Sequence, residues 1–162
     1  MRAMNTIKIF LVDKDKTFSK SWIQSLGENK EIEIISFSST KACIKNPCKD
    51  PGIIIFNNSQ ELITPEKLYS IRVLLPGTYL IVLTEQLDMR CGRQMPSLYN
   101  RCYYIPKDAR MIYNLKKKVN YLCDDIRLYR NLKYEHRKDS VIHALIITAL
   151  LIIYIIDILH LS

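Results

Sequence analysis

The 162-residue chain lacks any arrangement of cysteine that would staple it. Its five cysteines, Cys43, Cys48, Cys91, Cys102 and Cys123, are odd in number and form no Cys-x-x-Cys, and no histidine stands at zinc spacing from them. That argues against a disulfide framework and a structural zinc site and for reduced thiols in a cytosolic compartment. The opening Met-Arg-Ala-Met-Asn-Thr has no apolar core of a secretory signal. No helix-turn-helix or other nucleic-acid module is recognisable, so the net charge of +8 needs another explanation than DNA. With 48% hydrophobic residues, the chain can bury one ordinary core and still hold an additional segment.

The apolar runs are short and regularly placed. Gly52 to Ser59 carries four large apolar residues, three of them β-branched, between Pro51-Gly52 and a polar Asn-Asn-Ser. It reads as a strand buried on both faces, as in the middle of a parallel sheet. Ile7–Val12, Tyr79–Leu83 and Cys102–Ile105 are similar, whereas Glu31–Phe37 alternates and predicts an edge strand. Phe18, Trp22 and Leu26 mark one face of a helix over 17–26. Ser39 is expected to cap a short helix reaching about Asn46, and Thr64-Pro65-Glu66 to open another. A helix over 85–100, irregular because of Gly92 and Pro96, and one from Ala109 capped by Asp108 complete five strand–helix alternations. The fold class expected is α/β: a doubly wound, five-stranded parallel sheet. In such sheets ligands gather at the carboxyl ends of the strands, which brings forward Asp13, Asn57 and Thr84. Asn57 and Asn58 also suit a simple chain reversal.

Four segments in this order resemble the receiver domains of bacterial two-component response regulators. They are Leu-Val-Asp13, Pro51-Gly-Ile-Ile-Ile-Phe-Asn57, Ile-Val-Leu-Thr84 and Tyr104-Ile-Pro-Lys107-Asp-Ala. The resemblance covers Ile7 to about Cys123 and implies strand order 2-1-3-4-5. It also implies a phosphoacceptor position at Asn57, a metal-binding acidic pair at Asp13 and Lys14, a hydroxyl at Thr84 and a lysine at Lys107. Two of these positions depart from the family's pattern. The Asn57 amide is too poor a nucleophile to form an acyl phosphate, and the Lys14 ammonium opposes Mg²⁺. Asp15 supplies a second carboxylate only if the strand slips by one residue. The expectation is a degenerate pocket without catalysis, metal or cofactor, in which Lys107 pairs with Asp13. Three readings stand: a polar cluster holding strand ends together, a site fixed in one signalling state, or a site for a small anion or other ligand.

Beyond the domain, Leu115, Val119, Leu122, Ile126 and Tyr129 keep helical spacing. The first three are expected on the sheet; Ile126 and Tyr129 are candidates for pairing with a second copy. Between Lys116 and Asp139 eight basic residues stand against four acidic ones. Val141 to Leu161 then lacks a polar stripe and is long enough to span a hydrocarbon core. Read with the basic flank, it predicts a single-pass anchor in the cytoplasmic (inner) membrane with the first domain in the cytoplasm, the basic linker meeting anionic lipid. His143, Ala144, Thr148 and Asp157 are candidate helix-contact residues within it. The expected domains are a receiver-like domain (1–123), a basic juxtamembrane helical linker (124–139) and a transmembrane helix (140–162). The function expected is that of a non-enzymatic, membrane-tethered pseudo-receiver. Its partner would be a histidine kinase, another regulator or a second copy, and not nucleic acid. Alternatives are a response element phosphorylated at another residue and a membrane-active protein regulated by its soluble domain.

Overall fold

The computed structural model describes residues 6–14, 16–26, 31–46, 50–57, 63–85 and 101–160, with backbone alone at 16–17, 26, 65 and 152–160. Asp15, the helix expected over 85–100 and Ser162 therefore fall wholly or largely outside the described residues. Contacts divide the chain into two units, Met1–Asp124 and Asp125–Ser162.

The first unit carries β1 (Ile7–Val12), α1 (Lys16–Leu26), β2 (Ile32–Phe37), α2 (Thr40–Ile44), β3 (Ile53–Asn57), α3 (Pro65–Leu74), β4 (Tyr79–Thr84) and β5 (Cys102–Pro106). Its strands form one parallel sheet in the order β2-β1-β3-β4-β5, as the resemblance implied. The three inner strands are buried almost throughout, because side chains that alternate between faces meet apolar layers on both. On one side Phe10, Val12, Ile54, Phe56, Leu80 and Val82 cluster with Cys43 of α2 and with Leu68 and Ile71 of α3. Ile9, Leu11, Ile53, Ile55, Ile81 and Leu83 hold the alternate positions and are fully buried too, as is Trp22 of α1. β2 is the edge strand that its alternation predicted, with Glu33 and Ser36 exposed.

Caps define the short helices. The Ala42 amide donates to Ser39 Oγ at 3.2 Å and opens α2, which ends at Ile44, two residues before the expected end. The Lys67 amide donates to Thr64 Oγ1 at 3.4 Å, and Pro65 occupies the first turn of α3. At the amino-terminal side of the sheet, buried Thr78 donates its hydroxyl to the Pro51 carbonyl at 2.8 Å, while Arg72 donates to the Thr78 carbonyl at 2.7 Å.

The last helix, α4 (Met111–His160), runs through both units. It starts two residues later than expected, because Asp108 first closes a turn. Its side chain accepts from the Arg110 amide at 2.8 Å and its carbonyl from the Met111 amide at 3.0 Å. Within the first unit Leu115, Val119 and Leu122 are fully buried, as expected of the sheet-facing stripe. Of the two residues expected to pair with a second copy, both in the second unit, Ile126 is 9% exposed and Tyr129 is 58% exposed. In the second unit every residue from 131 to 151 is exposed. Among the described residues no helix is long and apolar enough to cross a membrane. The span expected at 140–162 reaches past Leu151, the last residue whose side chain is described.

Candidate functional site

The sheet order fixes where polar residues can gather. β1 and β3 are neighbours in register Val12↔Phe56, so the residues that close these strands, Asp13 and Asn57, emerge side by side. The connections after β1 and after β3 lead to opposite edges of the sheet, which opens a crevice at the carboxyl ends of these two strands. Asn57 pairs with Leu83, so Thr84 follows one step along the same edge, and the Lys107 amide donates to the Thr84 carbonyl at 2.8 Å. Asp13, Asn57, Thr84 and Lys107 are thus brought to one end of the sheet. Lys14 is placed differently: it turns out into solvent on the bend after β1.

Asp13 is the buried charge of the site, 6% exposed. A carboxylate taken out of water must be compensated by hydrogen bonds or charge. Ser19 Oγ of α1 donates to its Oδ2 at 2.9 Å and the Asn57 amide nitrogen to its Oδ1 at 3.0 Å. Lys107 is half-buried; burial pushes its ammonium below the ordinary lysine range, while the nearby Glu85 and Asp13 carboxylates pull it upward. The Ser19 hydroxyl and the Asn57 amide are thus hydrogen-bond donors on the two Asp13 oxygens, with Lys107 near enough to feel the carboxylate. Ser19 was missed by sequence reasoning. Its one signal is that it lies three residues before Trp22, beside the apolar stripe of α1.

The amide of Asn57 is polarised in its use. Its nitrogen faces Asp13, whereas its oxygen is buried without a hydrogen-bond partner among the described residues. Flipping the amide would set two oxygens against each other, so the orientation is dictated by Asp13. A divalent metal does not fit this donor set. Mg²⁺ requires several hard, preferably anionic oxygens, and among the described residues the ends of β1 and β3 present one carboxylate already accepting two hydrogen bonds plus one neutral amide oxygen. Among the described residues no group of three or more His, Cys, Asp or Glu could hold a metal ion.

Comparison with solved structures places this geometry. A signal receiver domain of an HD domain-containing protein from Pseudomonas fluorescens Pf-5 matches with a TM-score of 0.60 at 17% identity, covering 81% of this chain and 96% of that one. A response regulator from Thermotoga maritima matches with a TM-score of 0.58 at 16% identity, over 74% and 98% of the two chains. A receiver domain from Clostridium thermocellum gives 0.59 at 17% identity, over 76% and 98%. The fold is that of a receiver domain. No family model and no curated relative matches the sequence.

On the receiver fold the strand-end crevice holds the residues that the resemblance assigned to it, with Lys14 displaced into solvent and Ser19 added. The candidates in the second unit are engaged locally. His143 Nδ1 lies 2.7 Å from the Asp139 carbonyl oxygen, and the Thr148 hydroxyl donates to the Ala144 carbonyl at 2.8 Å. Both bonds fall within one turn of the same helix, and the Asp157 side chain lies outside the described residues.

Proposed function

We propose that this chain is a pseudo-receiver: a signalling module of the two-component type that works through protein contact in one fixed state, without phosphorylation. The observation that carries this reading is the hydrogen bond from the Asn57 amide to Asp13. At the end of the central strand an acceptor carboxylate would be repelled by Asp13 and would draw in a metal. The amide instead supplies the donor that Asp13 needs, so the pocket satisfies most of its own demand. A titration of the full chain with Mg²⁺, followed through the Asn57 side-chain amide resonances, tests it. The resonances are expected to stay unmoved at millimolar Mg²⁺, whereas Lys14→Asp together with Asn57→Asp is expected to create saturable binding. Saturable binding by the native chain would count against the reading.

We further propose that the second unit tethers the module to the cytoplasmic membrane, with a histidine kinase or another regulator as partner. The support is the apolar run Val141 to Leu161 together with the exposure of Val141, Leu145, Ile147 and Leu150, a surface that calls for an apolar cover. Arg127, Arg130, Lys133, Arg137 and Lys138 precede the run, where a cytoplasmic flank meets anionic headgroups. Flotation with anionic vesicles is expected to carry the full chain to the lipid layer even at high salt, since an apolar anchor is insensitive to screening. Release by salt alone would reduce the tether to surface adsorption, and failure to float would remove it.

A further inference from the structure

A second feature of the first unit lies away from the strand-end crevice. Between α2 and α3 runs a groove of about 460 Å³. Its floor is apolar, with Ile44 partly exposed and Ile71 buried beneath. Among the described residues its walls carry Lys41, Lys45 and Lys67 against one carboxylate, that of Glu66. A groove so built takes an apolar ridge that is flanked by acids.

The second unit carries such a ridge. On α4, Asp125, Leu128, Leu132, Glu135 and Asp139 follow one another at steps of three, four, three and four, which places them in one stripe along the helix. Leu128 and Leu132 are 59% and 61% exposed. Arg130, Lys133 and Arg137 lie on the opposite side, so the charges of this stretch are sorted by face. Two such stripes cannot pair with each other. In parallel they set Glu135 and Asp139 against their own copies, and in antiparallel they set Asp125 against Asp139. Like charges at close range disfavour both arrangements. Lysines and isoleucines are the complement the stripe lacks.

We infer that the α2–α3 groove of one copy receives the acid-flanked leucine stripe of a second copy. Reciprocal exchange closes the pair with twofold symmetry and leaves no open end. The leucines enter over Ile44, and Glu135 and Asp139 meet the lysines of the walls. The contact is independent of whether the strand-end crevice binds metal or phosphoryl groups.

The test uses an equal mixture of ¹⁴N- and ¹⁵N-labelled full-length chains in mild detergent, treated with a zero-length carbodiimide that joins carboxylates to amines only where they touch. Mixed-isotope peptide pairs linking Lys41, Lys45 or Lys67 to Glu135 or Asp139 are expected. Lys41→Glu with Lys45→Glu removes two of the three amines and should reduce the remaining Lys67 links by about tenfold, as reversal of two exposed ion pairs implies. Mixing that variant with a Glu135→Lys, Asp139→Lys chain should restore cross-linking in both groove-to-stripe directions, read between the new glutamates and the new lysines and between the native lysines of the one chain and the native Glu135 and Asp139 of the other. Circular dichroism confirms that the surface variants stay folded. The inference is overturned if these links join residues of one isotope only, if the links between copies run from one α4 to the other, if none form, or if yields ignore the charge reversals.

Discussion

The position of one amide proton donor decides the chemistry of the strand-end crevice. Asn57→Asp removes the Nδ2 donor and sets a second carboxylate about 3.0 Å from Asp13 Oδ1. We expect a loss of roughly 2 kcal/mol near neutral pH, from the lost charge-assisted hydrogen bond and from repulsion between the carboxylates. The coupled carboxyl pair is raised in the folded state relative to the unfolded one. The deficit is therefore present above the raised value and shrinks as acid protonates the pair, which urea unfolding at neutral and mildly acidic pH will show. Cys43 follows the same sign. Its thiol is buried, and burial pushes it from 9.0 up to about 12. The neutral thiol is favoured on folding, so this contribution is intact below about pH 9 and is lost as pH rises toward 12. Mass mapping of alkylated cysteines should find Cys43 unmodified in the folded chain at neutral pH and modified after denaturation.

At the scale of elements, the strands and caps were legible because each rests on local chemistry. Continuous β-branched runs mark strands buried on both faces, and Thr64-Pro65 and Ser39 open α3 and α2 through bonds from the following amides. One feature was not legible. The pairing of Asp13 with Asn57 depends on the register of β1 against β3, a relation between residues 44 apart in sequence that no local pattern carries. The helical course of α4 through the expected helical linker was legible despite its change of character. Its first turns bury an apolar stripe, the middle is charged and the end is apolar, yet no glycine or proline after Pro106 interrupts it. Thr78 offers a test of how β3 and β4 are joined at their entry. Thr78→Val keeps the shape but leaves the Pro51 carbonyl without this donor inside the protein. A loss of about 1 to 2 kcal/mol in urea unfolding is expected, and an unchanged midpoint would show that the carbonyl finds water instead.

For the molecule as a whole, the receiver fold supplies a rigid sheet that would display surfaces, and a reactive pocket is not required for that. The departures at Lys14 and Asn57 were visible in the sequence, but only the structure shows that they differ in kind. Lys14 stands in solvent, whereas the Asn57 amide donates to Asp13 inside the crevice. The central claim is that this crevice accepts no phosphoryl group. Incubation of the full chain with a small acyl-phosphate donor and Mg²⁺, followed by intact-mass measurement, tests it most directly. The account predicts an unchanged mass for the native chain. A gain of about 80 Da, labile to hydroxylamine as an acyl phosphate is, would contradict it and point to Asp13 or Asp15 as the nucleophile.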